Sequence, residues 1–126
     1  MKTLNNNEPA FERLYNEWIS TLLAYDEQMR TIDVIVKEMQ RSVNDLHYQR
    51  EVKQICNQVV LQKGILGVLS EELMQMRKKY SGRKGNGEMQ LTDLVENNRF
   101  RDKIRKAEQS IFMLKYQVNK LLSIAS

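Results

Sequence analysis

The chain has 126 residues, a formal net charge of +4, one proline, one cysteine and seven methionines, which is one domain's worth of helix-favouring sequence. Its polar start, MKTLNNNEP, lacks a signal peptide's apolar core, and its most apolar run, QICNQVVLQKGILGVLS, is interrupted by Lys63 and several amides. Secretion and membrane spanning are therefore not expected, and the lone Cys56, unable to form an internal disulfide, fits a reduced, cytoplasmic setting.

Three segments carry apolar residues at alternating steps of three and four, the helical period. The first is predicted over residues 9–43 and starts at Pro9, which suits a first helical turn, with Glu8 and Glu12 near the positive end of the dipole. Its row runs Phe11, Tyr15, Trp18, Leu22, Tyr25, Met29, Ile32, Val36, Met39, Val43 and Leu46.

No glycine or proline marks the end of that helix, so phase has to decide it. Continued past Leu46, the row lands on Arg50 and Lys53. On one unbroken helix Leu46 and Tyr48 would point about 200° apart, and the apolar stripe would change sides. A turn near Ser42 to Asp45 avoids this, with Asn44 as a left-handed C-cap and Asp45 as the N-cap of the second helix.

The second helix, residues 46–80, has the row Val52, Ile55, Val59, Gln62, Leu66, Leu69, Leu73, Met76 and Tyr80. RKKYSGRKGNG then stops it: Gly82 stands where a C-cap glycine belongs, and Lys78 and Lys79 offset the dipole in the last turn. A flexible basic loop over 81–91 leads to the third helix, 92–124, whose row is Phe100, Ile104, Ala107, Ile111, Leu114, Val118, Leu121 and Ala125. Helices of about 35 residues, roughly 50 Å each, joined by short links predict an all-α fold, an antiparallel three-helix bundle of coiled-coil-like helices. The periodicity resembles that of spectrin repeats, a likeness of architecture that carries no function.

Catalytic and cofactor chemistry find little support. From Gly82 the loop reads GRKGNGE, with Glu88 where a phosphate-binding loop needs lysine and a helix where it needs a strand. The single histidine, His47, has no Glu three residues before it, as inward-facing di-iron pairs require. Cys56 adjoins the core position Ile55 and reads as a small apolar residue. A non-enzyme without cofactor or metal is expected.

Charge and off-row apolar residues say more. Ten bases fall between residues 77 and 106: Arg77, Lys78, Lys79, Arg83 and Lys84, then Arg99, Arg101, Lys103, Arg105 and Lys106. An antiparallel hairpin brings both groups to one end of the bundle, where they could attract nucleic acid or an anionic surface. Off the rows, the second helix adds Val60, Leu61, Ile65 and Val68, and the third adds Phe112, Met113 and Tyr116. Either the core is wide enough to cover them, or a further surface docks there. Gly64 and Gly67 suit close approach of another backbone and cost about 1 kcal/mol each inside a helix. The leading expectation is an interaction or scaffold protein that forms a homo-oligomer or docks a protein partner through Val60, Leu61, Val68, Phe112, Met113 and Tyr116. Anion binding at the basic end is the alternative.

Overall fold

The structure, a computed structural model, describes residues 10–42, 45–81 and 91–125. They form three helices: α1 Ala10–Ser42, α2 Leu46–Ser81 and α3 Leu91–Ala125. Each packs against the other two, giving the expected three-helix bundle. No helix among the described residues is long and apolar enough to cross a membrane.

Ring contacts and ion pairs set the directions of the helices. Phe11 meets Tyr80 at 4.4 Å between ring centroids, Arg77 pairs with Glu12 at 3.5 Å, and Lys63 pairs with Asp33 at 2.8 Å. Thus α1 and α2 run antiparallel. Lys79 with Glu96 at 3.2 Å and Lys103 with Glu72 at 2.9 Å do the same for α2 and α3. Such partly exposed pairs contribute about 0–1 kcal/mol each, so they fix register more than they stabilise.

The energy lies in the rows. The described members are buried in one core, with Met29, Val52, Leu73 and Phe100 fully enclosed and Trp18 tilted onto Phe100 at 4.9 Å. Each such side chain contributes about 1.5–3 kcal/mol through lost apolar surface. Three members depart from full burial. Tyr15 and Tyr80 are half-buried at the bundle's end, where Arg77 covers the Tyr15 ring at 4.6 Å and Tyr80 donates to Glu96 at 2.7 Å. Leu46, assigned to the first row, is instead the exposed first residue of α2. The chain has already turned there, and Tyr48 begins the buried row of α2.

That turn rests on Asp45, whose carboxylate accepts from the Tyr48 backbone N–H at 3.0 Å, as an N-cap does. Asp45→Ala is expected to cost about 1 kcal/mol in urea denaturation, and Asp45→Asn to restore most of it. The proposed C-cap at Asn44, and Gly82, Arg83 and Lys84 in the basic loop, lie outside the described residues.

One polar contact links the fold to pH. Lys63 donates to Asp33, and chiefly for that reason the carboxyl is held below its ordinary value, with Lys37 adding to the effect. A depressed carboxylate stabilises the fold above its unfolded pKa and loses that contribution as pH falls through the folded value. Acid titration of stability should therefore be shallower in Asp33→Asn than in the wild type below about pH 4.

Candidate docking face between α2 and α3

At 100° per residue, the positions of α2 between its buried ones sweep round its outer side. Leu61, Ile65 and Val68 turn toward the flank shared with α3. They line one stretch of a groove of roughly 730 Å³ whose far side is Lys103, Lys106, Ala107 and Ser110. A second stretch, about 550 Å³, shares Leu61, Gln62, Lys106 and Ser110 with the first and reaches Met113. A third, about 340 Å³, shares Gln58 with the second and runs down to Asp45 and Ile124. The three stretches follow the α2–α3 flank from Asp45 and Ile124 at one end to Glu72 and Lys103 at the other.

On the α2 side of the first stretch the wall is apolar and uncovered. Val60 is 71% exposed, Leu61 65% and Val68 65%. The wide-core alternative would have buried these side chains, and the core stops short of them. Gly64 lies in the same wall and Gly67 beyond it. A Cβ built on either would meet no atom within 4 Å, so nothing within the chain requires glycine there. Gly67→Ala should accordingly stabilise the fold by about 0.5–1 kcal/mol on thermal unfolding.

Polar groups interrupt the floor. Gln62 occupies a buried row position, and its Nε2 meets no acceptor among the described residues; the same holds for a donor to Gln117 Oε1. Enclosing an unsatisfied amide costs about 1–3 kcal/mol, so Gln62→Leu should raise monomer stability by about 1 kcal/mol in urea. At the far end burial pushes the Tyr48 hydroxyl pKa up.

Charges on the groove's rim separate by helix. On the α2 side are the acids Glu51 and Glu72, with Asp45 just ahead of the helix and His47 3.7 Å from Glu51. Those from α3 are the bases Lys103, Lys106 and Lys120. Counting charge by chain segment does not reveal this segregation, because it belongs to the groove walls.

The six residues expected to form an interface do not all come together. Val60, Leu61, Val68 and Met113 line the groove, whereas Phe112, 67% exposed, and Tyr116 line none of its stretches. On α3 those two stand roughly 120–160° from the buried row, on its outward side.

The basic cluster is likewise divided. Arg77, Lys79 and Lys103 are already ion-paired to Glu12, Glu96 and Glu72. These three are exposed, as are Lys78, Arg99, Arg101, Arg105 and Lys106, and helical rotation sets Arg101 about 140° and Arg105 about 100° from Lys106. Two further buried positions were missed: Asp93 and Asn97 extend the row of α3 ahead of Phe100.

Cys56 is half-buried, and burial, aided by the Asp33 carboxylate, pushes its thiol pKa up, lowering the thiolate available for attack. Among the described residues no three His, Cys, Asp or Glu side chains converge to hold a metal ion. Comparison with protein-family models, curated proteins and solved structures yields no match to this chain.

Proposed function

We propose that this chain is a non-enzymatic interaction or scaffold protein whose open α2–α3 groove docks helices. One observation carries the reading: Leu61, Ile65, Val68 and Met113 are exposed together along two adjoining stretches of the groove between α2 and α3. Apolar surface of that extent is costly to leave in water and is the usual mark of a protein-binding site. Helices that dock on such faces present apolar residues at the spacing these walls accept.

Binding of nucleic acid or an anionic surface at the basic end ranks second. Among the described bases Arg77, Lys79 and Lys103 already pair with carboxylates, and on α3 Arg101 and Arg105 point about 100–140° away from Lys106.

Two methionines test the docking reading within one molecule. Met113 lines the groove and is 52% exposed; Met74 is 47% exposed and lies outside it. Peroxide should oxidise the two at similar rates in dilute purified protein. In intact cells producing the chain, Met113 should be selectively protected. Equal oxidation in both settings would mean that nothing docks in the groove.

A further inference from the structure

We infer that the occupant of the α2–α3 groove is a second copy of this chain, with α2 of each protomer lying on α3 of the other about a twofold axis parallel to the helices. This rests on the docking reading above and identifies the partner. Area favours a second copy. The groove extends from Asp45 to Glu72 along α2, roughly 40 Å at 1.5 Å per residue, and two adjacent helices are about 20 Å wide. The resulting footprint of about 800 Å² per protomer is what a stable interface of standard size covers. A single docked helix would leave much of that face bare.

The signs of the rim charges favour it as well. An axis parallel to the helices keeps every residue at its own level and exchanges α2 for α3. Glu72 and Lys103 stand at one level, 2.9 Å apart within the chain. Under this symmetry Glu72 therefore faces the partner's Lys103, and Lys103 faces the partner's Glu72. At the other end, Lys120 stands about one helical turn from the level of Glu51, so the two fall near each other across the interface with opposite sign. Opposite charges thus meet at both ends of the face, while Asp45 and Lys106 have no charged residue at their own level.

The competing symmetry, an axis across the groove, lays α2 on α2 and reverses it. Taken through the middle of the groove, it sets Glu72 against the partner's Asp45. Like charges in contact cost several kcal/mol in general, which disfavours this arrangement. Direction agrees with the first symmetry. Because α2 and α3 are antiparallel, α2 is also antiparallel to the partner's α3, and the four helices make an all-antiparallel bundle. Gly64, in the wall and with no atom within 4 Å of where a Cβ would stand, leaves room for the backbones to approach closely.

The test uses the full chain and two charge reversals at exposed or half-exposed sites. By sedimentation equilibrium the wild type should be a dimer at micromolar concentration. Glu72→Lys and Lys103→Glu should each weaken the dimer at least about tenfold, since each puts four like charges at two symmetric junctions. Mixed in equal amounts, the two variants should form a heterodimer of near wild-type affinity, because each lysine at position 72 then faces a glutamate at position 103. The ion pair within one chain cannot produce that rescue. A mixture that behaves as the sum of its parts overturns the arrangement. A wild type that stays monomeric at high concentration overturns the second copy as occupant: Met113 protection in cells would then leave docking of another partner standing, and its absence would remove both readings.

Discussion

Leu66→Ala is expected to cost about 2–5 kcal/mol, whereas Leu61→Ala, five residues earlier on the same helix, should change the dilute monomer's stability by less than about 0.5 kcal/mol. The contrast comes from rotation. Leu66 is 4% exposed in the core shared with Leu22 of α1, and its truncation leaves a cavity that the surrounding helices fill only in part. Leu61 touches the groove and not the core, so its truncation opens no void. Urea denaturation at a concentration where the chain is monomeric separates the two. Equal losses at both positions would mean that the core wraps α2 on all sides.

Charge at the same groove position should act on association and leave the fold alone. Leu61→Glu places a carboxylate in the apolar middle of the docking face, where occupation by any helix would bury it without a partner. Removing an ionised carboxylate from water unpaired costs several kcal/mol, so self-association should weaken by about 100-fold or more. The monomer should keep its helical signal, because the side chain remains in solvent at a residue 65% exposed. Sedimentation and circular dichroism together read both halves of this expectation. Loss of helix in the variant would show that Leu61 supports the bundle itself.

The bundle was legible because its signal is local and repeated. Rows such as Val52, Ile55, Val59 and Leu66 state which side of a helix is dry, and a break in phase between Leu46 and Tyr48 marks a turn that no glycine announces. Phase alone put Leu46 on the wrong side of the turn, since an apolar residue at a helix start fits either row until the Asp45 cap is seen. Asp93 and Asn97 were hidden for a different reason. Apolar periodicity ends at Phe100, and only packing at the end of the bundle encloses the polar residues before it.

The groove was half legible. Leu61 and Val68 stood out because no seam on their own helix claimed them. That Met113 joins them while Phe112 does not depends on the rotation of α3 against α2, which sequence spacing alone leaves open. Rim charges are harder still. Glu72 and Lys103 are far apart in the chain, and their relation to a second molecule appears only once the antiparallel pairing sets their level.

The measurement closest to the central claim is the ratio of Met113 to Met74 oxidation in the purified full chain as its concentration is raised. If the α2–α3 face closes on a second copy, Met113 should become progressively protected while Met74 continues to react, and Leu61→Glu should abolish the protection. A ratio that stays constant from dilute to concentrated protein, for wild type and variant alike, would contradict the account.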